Sequence, residues 1–349
     1  MNYYVSVEGK DANTAGVKAP MDVAEILRRR NYQELKFSYI HQKNGHNRMR
    51  IVGISNNFKN WARILRIVKP NSIVFFQYPY GVSKMTWNGI KILKKVKKAK
   101  IVFLLHDVDS IRQYNVGKNE SRERLFRLAD ALICHNEKMK AFLTEYHQID
   151  EKKLFCLDIF DYLHNMEPKS KSMFDRSLIL AGNLSMRKSP YIGKLIQMDR
   201  SFFLHLYGPN FSHDTPMERA VYHGVFPPES LPDILEGSFG LVWDGDSLDT
   251  CNGPTGEYLR YNNPHKVSLY LSSGIPVVIW KEAALADFVQ ENGVGIAVSS
   301  IRELEKIMGT LSNKEYAAMQ NNVEKIGQKL RNGYYLNKVL DEIESGLLG

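Results

Sequence analysis

The chain has 349 residues, a length at which a single hydrophobic core usually stops growing, so two domains of about 150 to 200 residues are expected. With 44% hydrophobic, 24% charged and 11% aromatic residues, the composition excludes a disordered or fibrous protein. The net charge of +9 is unevenly distributed: residues 1–165 carry 29 basic and 16 acidic side chains, whereas residues 166–349 carry 18 and 22. One half is strongly basic and the other mildly acidic.

The cysteines and the N-terminus indicate a cytoplasmic protein. Cys134, Cys156 and Cys251 are far apart and form no CxxC pair, so neither a zinc knuckle nor a disulfide framework is predicted. The first residues lack the cationic and apolar regions of a signal peptide, and no apolar run approaches the ~20 residues of a membrane span. Any membrane contact is therefore expected to be peripheral, on the inner face.

Short apolar runs alternate with helical patterns along the first half, as in a parallel sheet with crossover helices. We predict strands at residues 3–7, 35–39, 72–77, 101–106, 131–134 and 154–158. Helices are predicted at residues 20–30, 61–68, 85–96, 120–128 and 137–146.

The second half begins a new series of the same kind. Its predicted strands are residues 177–181, 203–207, 220–223, 240–243, 277–279 and 295–298. Its predicted helices are residues 191–198, 228–236, 265–272, 282–292, 301–308 and 313–331. The polar segment 165–175 contains a proline and is the predicted linker.

The fold class is therefore α/β, with two Rossmann-like, doubly wound domains that face a central cleft. Their predicted boundaries are 1–165 and 166–333. Residues 334–349 are expected to form a final amphipathic helix that packs back on either domain.

Phosphate groups bind in such folds beyond the carboxyl ends of strands, where helix N-termini offer free N–H groups. In the loop after the first strand, Thr14 and Gly16 are small enough to let the backbone approach a phosphate, although this segment alone favours an ordinary turn before the helix at Pro20. Because GxGxxG and GxxxxGK motifs are both lacking, a dinucleotide enzyme or a P-loop NTPase is disfavoured.

Two segments of the second half carry residues suited to a nucleotide diphosphate. In LILAGNLSMRKSPY, Arg187 and Lys188 lie at a strand-to-helix turn, where a solvated basic loop is the alternative. After the next strand, Tyr207 is predicted either to stack on a base or to belong to the rim of the core.

The densest group of such residues lies between Trp243 and Pro276. Asp244 follows a strand and is assigned to the donor site. Glu257 and Asp246 are expected beside the donor sugar, with a plain surface acid as the alternative for both. Asn263 is predicted as the N-cap of the next helix and Pro264 as its first residue. The first turn then holds two further residues, His265 and Lys266. Cations there oppose the helix dipole unless an anion binds beside them.

The motifs NNPHKVSLYLSSGIPVVI, VWDGDS, CNGPTGEYL and HDVDSIR resemble those of the glucosyltransferase 3-like and bacterial galactofuranosyltransferase-like families of GT-B glycosyltransferases. The resemblance implies transfer of a sugar from a UDP-sugar to a saccharide acceptor. It also implies nucleotide contacts by Arg187, Tyr207, Asn263 and Lys266, and a diphosphate-facing loop at Thr14 and Gly16. A final helix, residues 334–349, that crosses back to the first domain is implied as well. One departure is that His265 stands eight positions after Glu257, where many retaining GT-B enzymes carry a second glutamate.

Acid–base chemistry is assigned to the segment IVFLLHDVDSIR. His106 and Asp107 are candidates for acceptor binding or for removal of the acceptor proton, while Asp109 is a helix N-cap type. The pairs Asp107/Asp109 and Asp244/Asp246 match the DxD pattern of metal-dependent GT-A enzymes. The two β/α series argue against that class, so no metal or other cofactor is expected for donor binding.

Residues 51–100 contain eleven Lys and Arg and no Asp or Glu. Along the helix at 85–96 the lysines are expected to face solvent, and Ile92, Leu93 and Val96 to face the core. The basic surface fits an anionic membrane that carries a lipid-linked acceptor. The rival functions are a nucleic-acid or polyanion-binding protein and a sugar-nucleotide epimerase. Because a recognition helix and an RNP-like pattern are both lacking, no nucleic-acid partner is expected. Whether the chain forms a homo-oligomer is left open by the sequence.

Overall fold

The computed structural model describes residues 1–8, 15–38, 47–79, 84–112, 123–165, 173–212 and 217–348. The chain divides into two compact units. Unit 1 comprises Met1–Ala12, Pro20–Leu157 and Leu336–Gly349, and unit 2 comprises Asn13–Ala19 and Asp158–Tyr335.

Unit 1 is built on a six-stranded parallel sheet. Its strands are β1 (Tyr3–Glu8), β2 (Gln33–Ser38), β3 (Ile73–Tyr78), β4 (Lys100–Leu105), β5 (Ala131–Cys134) and β6 (Leu154–Cys156), in the order β2-β1-β3-β4-β5-β6. Every strand pair is parallel, and β3 is buried along its whole length. Continuous β-branched and aromatic runs are typical of such two-sided burial, and all six predicted strands are confirmed to within two residues.

The helices of unit 1 cover this sheet. They are α1 (Ala15–Arg29), α2 (Asn47–Ile67), α3 (Lys84–Lys97), α4 (Asp109–Arg112) and α5 (Glu137–His147), with 3-10 turns at Arg124–Leu128 and Glu151–Lys153. Two of them start well before their predicted first residues: α1 takes Pro20 into its interior, and α2 extends back through a polar stretch. The helix starts predicted at Pro20 and Trp61 are therefore both too late.

Unit 2 repeats the architecture. Its strands are β7 (Ser177–Ala181), β8 (Phe203–Tyr207), β9 (Ala220–Gly224), β10 (Phe239–Val242), β11 (Val277–Trp280) and β12 (Gly295–Val298), in the order β12-β11-β10-β7-β8-β9. All pairings are again parallel. The α/β class with two doubly wound sheets is confirmed.

Most of the helices after β7 are short. They are α6 (Tyr191–Gln197), α7 (Leu231–Ile234), α8 (Gly253–Tyr258), α9 (His265–Ser272), α10 (Ala286–Glu291), α11 (Leu304–Thr310), α12 (Asn313–Arg331) and α13 (Tyr334–Leu348), with a 3-10 turn at Ile301–Glu303. The predicted bounds of α9, α12 and α13 agree with the structure, whereas α8 was not predicted. A reciprocal capping box between Ser312 and Glu315 fixes the start of α12.

The division between the units comes earlier than the predicted residue 165. The segment after β6 packs within unit 2, where the Tyr162 N–H donates to the Leu330 carbonyl (3.2 Å) and the His164 imidazole contacts the Ser272 carbonyl (3.0 Å). Most of the predicted linker, residues 166–172, lies outside the described residues.

Helix α13 belongs to unit 1 from Leu336 onward. Arg30 pairs there with Asp341 (2.7 Å) and Glu344 (2.8 Å), and the Tyr32 hydroxyl donates to Glu344 (2.7 Å). Within the described ranges, no helix combines the length and the apolarity that a membrane span requires.

Candidate functional site

The strand order of unit 2 places its candidate site beside β7 and β10. These strands are neighbours, while the strands that follow them lie on opposite sides of the sheet. Ligands of open α/β sheets bind beyond the carboxyl ends of the strands at such a switch point. The two loops there are joined, because the Tyr191 N–H reaches the Gly245 carbonyl (3.5 Å) and the Lys194 ammonium donates to the Asp246 carbonyl (2.6 Å).

Lys266 lies against the first residue of the loop that follows β7. A Cβ atom placed on Gly182 would lie 3.1 Å from Lys266 Cε and 3.9 Å from Nζ. Gly182 also has φ +128°, a conformation that side chains disfavour. Lys266, from the first turn of α9, is thus brought beside the glycine that follows β7, and an ammonium group at a helix N-terminus favours phosphate oxygens.

A second glycine, Gly208, lets the ends of the neighbouring strands β7 and β8 approach each other closely. Gly208 follows β8 with φ +138°, and a side chain there would collide with the Gly182 carbonyl. The Gly182 N–H donates to the Tyr207 carbonyl (2.9 Å). The close approach of Gly182 and Gly208 therefore holds the start of the loop after β7, which lies beside Lys266.

Arg187 lies further along this loop and is exposed. The turn around it is held by the N–H groups of Lys188 and Ser189, which both donate to the Ser185 carbonyl (2.9 Å each). Among the described residues, no hydrogen-bond or ion-pair partner of the Arg187 guanidinium is recorded. Its assignment to the diphosphate stays a prediction.

The Cys251 thiol is buried and interacts with three charged residues of the site. Burial raises the pKa of Cys251, and a hydrogen bond with the Asp244 backbone lowers it. The charges of Asp244 and Glu257 raise this pKa, and the Lys266 ammonium lowers it. Glu257 is exposed and pairs with Arg260 (2.7 Å).

The loop after β10 is organised by Asn252. The Asp246 N–H donates to Asn252 Oδ1 (2.9 Å), and the Asn252 amide donates to the Asp246 carboxylate. In the part of the chain that the structure describes, no group of three or more His, Cys, Asp or Glu side chains is arranged to hold a metal ion.

The predicted cap of α9 is corrected by one residue. Pro264 is the N-cap and the helix begins at His265, so Asn263 lies before the cap. Asn263 is 3% exposed, and its amide donates to the Asp158 carbonyl (2.9 Å). Its side chain therefore anchors the segment after β6 in addition to any role toward a nucleotide.

His265 is a second correction, because it is not a cation at neutral pH. Its ring stacks on Tyr162 at 5.0 Å and meets Phe160 edge-on at 6.2 Å. Burial and the nearby Lys18 ammonium lower the pKa of His265 to about 4, although a hydrogen bond to the Asp161 backbone opposes the shift. Of the two residues in the first turn of α9, only Lys266 remains a candidate for the predicted charge-assisted contact with a diphosphate.

Of the two alternatives predicted for Tyr207, the structure favours the core position. Tyr207 is 1% exposed and stacks in parallel on His223 at 4.3 Å. The hydroxyl accepts the Glu236 N–H (3.1 Å), and burial raises the pKa of Tyr207 to about 12. Neither face is left open to stack on a base.

In unit 1, His106 and Asp107 follow β4 at its carboxyl end. The His106 Nε2 atom lies 2.7 Å from Gln77 Oε1, and the His106 N–H donates to the Tyr78 carbonyl (2.9 Å). Asp107 pairs with Arg112 at 3.0 Å. These contacts hold both side chains beside one strand end, and their roles in catalysis stay predictions.

The loop after β1 is only partly described. Thr14 lies outside the described residues, and Gly16 lies in the first turn of α1. Two residues later, Lys18 is 4% exposed, donates to the Leu163 carbonyl (2.6 Å) and lies 4.6 Å from the centre of the Tyr162 ring. Lys18 was missed, because nothing in the sequence marks one lysine among many as buried.

A polar cavity of about 250 Å³ in unit 1 was also missed. Glu123, which lines it, is 1% exposed and pairs with His147 at 3.1 Å. Ser110 joins the pair, because its N–H donates to Glu123 (3.0 Å) and its hydroxyl contacts His147 (3.0 Å). The cavity is therefore linked to the segment that begins at Asp107.

Family models cover nearly the whole chain. The model described as glucosyltransferase 3-like, C-terminal domain, matches residues 178–343, and its N-terminal counterpart matches residues 1–159. The chain is 37% identical over 276 residues to beta-1,6-galactofuranosyltransferase WbbI of Escherichia coli, covering 78% of each chain. It is 26% identical over 340 residues to glucosyltransferase 3 of Streptococcus gordonii, covering 95% of each.

Two solved structures share the fold of this chain. The lipopolysaccharide outer core galactosyltransferase WaaB superposes with a TM-score of 0.62 at 11% identity, over 99% of this chain and 100% of that one. HepE from Anabaena, solved with UDP and glucose, gives a TM-score of 0.62 at 12% identity over all of both chains. The predicted GT-B fold is confirmed. The comparisons support neither the nucleic-acid-binding nor the epimerase alternative.

Proposed function

The chain belongs to the glucosyltransferase 3-like family, and we propose that it transfers a hexosyl residue from a UDP-sugar to a saccharide acceptor. It is a glycosyltransferase with the GT-B fold. The proposed product is a bacterial surface polysaccharide or glycoprotein glycan. Relatives named for galactofuranosyl and glucosyl transfer make glucose, galactose and galactofuranose the donor sugars to test.

The contact between Lys266 and Gly182 at the switch point carries this proposal. In it, the diphosphate binds at the first turn of α9, where Lys266 supplies a positive charge and the backbone N–H groups supply donors. Arg187, on the loop after β7, adds a second cation. Asp244 and Glu257 are proposed to contact the donor sugar, because they share the neighbourhood of Cys251 with Lys266.

The leaving group determines what these cations do. Transfer breaks the bond between the anomeric carbon and the β-phosphate oxygen, forms a bond to an acceptor oxygen and releases UDP. Charge develops on the diphosphate as the bond breaks, and preorganised cations stabilise that charge more than they stabilise the bound donor. Lys266 and Arg187 fill this role in our proposal, so no metal is required.

The acceptor hydroxyl loses its proton during transfer. We assign acceptor binding and proton removal to Asp107 and His106 in unit 1, since a positioned carboxylate or imidazole is suited to this step. Arg112 holds the Asp107 carboxylate in place at 3.0 Å. The stereochemical outcome is left open by the pattern at Glu257 and His265.

The enzyme is proposed to work in the cytoplasm, where UDP-sugars are the donors, and to be peripheral at the inner face of the membrane when its acceptor is lipid-linked. The proposed location is inferred from the cysteines and the N-terminal sequence, and it does not depend on the assignment of the donor site.

A thermal-shift screen followed by a transfer assay tests the function. UDP and UDP-glucose, UDP-galactose and UDP-galactofuranose are expected to raise the melting temperature, because a ligand of the folded state stabilises it by RT ln(1 + [L]/Kd). ADP and GDP serve as controls. No stabilisation by any uridine nucleotide would refute the proposal, and transfer abolished by EDTA and restored by manganese would refute its metal-independent form.

A further inference from the structure

Helices α2 and α3 of unit 1 form a surface that we call the basic face. Residues 35–106 contain no Asp or Glu. The exposed cations on or next to the two helices are Lys59, Arg63, Arg66, Lys91, Lys95 and Lys98. Of the described cations in α2 and α3, Lys94 is the one recorded in an ion pair, with Asp130 at 2.7 Å. The Arg63 guanidinium donates to the Lys36 carbonyl and to Asn60 Oδ1 (3.4 Å). Among the described residues, no carboxylate pairs with the other exposed cations of the basic face.

The basic face also exposes large apolar side chains. Phe58 is 66% exposed, Ile92 44% and Val96 64%. The expectation that Ile92 and Val96 face the core is therefore wrong. Both lie among the exposed lysines, one helical turn apart.

A close crossing of α3 and α2 explains why this side of α3 faces solvent. A side chain on Gly89 would collide with the Trp61 indole, so only glycine lets α3 approach α2 there. That approach turns Ile90 and Leu93 into the core at 0% exposure each. The neighbouring positions, including Val96, are turned out to solvent.

Apolar side chains surrounded by lysines suit a membrane interface better than water. At such an interface the apolar groups enter the boundary between headgroups and acyl chains, while ammonium groups meet lipid phosphates. Trp87, half-buried with the Lys91 ammonium 4.8 Å from its ring, is a residue type typical of that depth. A nucleic acid would use the cations but would leave Phe58, Ile92 and Val96 uncovered.

We infer that the basic face docks on a bilayer surface that contains anionic lipids. Charge complementarity provides the attraction, and the apolar side chains hold the docked state. The purpose of the docking, which is to bring the enzyme to a lipid-linked acceptor, rests on the proposed function. The docking itself is argued from the charge and the exposed apolar side chains of the basic face. UDP binding in unit 2 is a separate property.

Vesicle co-sedimentation of the full chain tests the inference. The protein is expected to sediment with phosphatidylcholine vesicles that contain phosphatidylglycerol and to stay in solution with phosphatidylcholine alone. Raising the salt from about 0.1 to about 1 M shortens the screening length from about 10 to about 3 Å and is expected to release the protein. Equal sedimentation with both vesicle types would overturn the inference.

Two pairs of variants assign the binding to the basic face. Lys95→Gln with Lys98→Gln is expected to lower the partition coefficient about fivefold for each lysine, whereas Lys306→Gln with Lys314→Gln, both exposed in unit 2, leaves it unchanged. Val96→Ser is expected to lower it about fivefold, and the matched control Val225→Ser, at a valine that is 57% exposed, is expected to have no effect.

Unchanged partition of both basic-face variants would contradict the inference, as would binding of a single-stranded oligonucleotide without binding to anionic vesicles. A UDP titration of the same variants separates the two proposals. Failure of the wild type to bind UDP refutes the donor site alone, and failure to bind vesicles refutes the docking alone.

Discussion

The Lys266 ammonium lies over Gly182, so closely that a methyl group on this glycine would lie 3.1 Å from Lys266 Cε. One residue comes from the first turn of a helix and the other from the end of a strand, and the sequence separates them by more than eighty positions. In our proposal this contact marks the donor site, because Gly182 leaves room for the Lys266 side chain at the end of β7.

Gly182→Ala is expected to impair both folding and UDP binding. At φ +128° an alanine is strained by about 1 to 3 kcal/mol, and its methyl group would displace the Lys266 side chain. Gly309→Ala is the control, because this glycine lies in α11 with nothing within 4 Å of an added Cβ, and it should be neutral or stabilising. Equal melting temperatures and UDP affinities of the two variants would contradict this reading of Gly182.

The strands were predictable because burial on both faces of a parallel sheet selects continuous β-branched and aromatic runs. Residues 73–78, for example, are buried throughout and carry the sequence IVFFQY. The capping box between Ser312 and Glu315 is likewise a local signal, and α12 begins where it predicts.

The faces of helices and the polarity of site residues were not predictable in the same way. Which side of α3 is buried depends on the contact of Gly89 with Trp61, a residue of another helix. The low pKa of His265 depends on burial and on the Lys18 ammonium, and the Tyr207 ring stacks in the core on His223. Such tertiary partners are separated in sequence and leave no periodic pattern.

Arg30 is expected to matter more for stability than its neighbour Arg29. Arg30 pairs with Asp341 and Glu344 of α13 and is 20% exposed, whereas Arg29 pairs with Glu25 at 50% exposure. Removing one partner of a partly buried network costs about 1 to 3 kcal/mol, and a surface pair contributes less than about 1 kcal/mol. Thermal unfolding of Arg30→Ala and Arg29→Ala measures the difference, and equal melting temperatures would show that α13 is not anchored by these pairs.

The low pKa of His265 predicts a loss of stability in mild acid. Its folded pKa of about 4 lies below the ordinary 6.5, so the unfolded chain takes up the proton first as the pH falls. The contribution of His265 is fully present above pH 6.5 and is lost as the pH falls toward 4, by on the order of 3 kcal/mol at 1.4 kcal/mol per pKa unit.

His265→Asn is expected to flatten this dependence, because an amide does not titrate. Urea unfolding at a series of pH values between 7 and 4 provides the comparison. Since burial also lowers the pKa of His135 to about 4, the variant should keep part of the slope. The same slope in both proteins would mean that His265 titrates normally.

Asp107→Asn is expected to separate catalysis from donor binding. Loss of a positioned base lowers turnover by about 100-fold or more, whereas the UDP dissociation constant should stay within about twofold of the wild type. Asp287→Asn, at an exposed carboxylate of α10, is the control. Turnover is measured as UDP release with a competent acceptor, and wild-type turnover of Asp107→Asn would remove this residue from the mechanism.

Calorimetric titration of UDP into the wild type, Lys266→Ala and Lys306→Ala tests the donor site most directly. Loss of a charge-assisted contact worth about 1.5 to 3 kcal/mol predicts that Lys266→Ala binds UDP at least about tenfold more weakly. Lys306 is exposed on α11, so its variant should bind like the wild type. Wild-type affinity in folded Lys266→Ala protein would contradict the account, because its diphosphate site would then lie elsewhere.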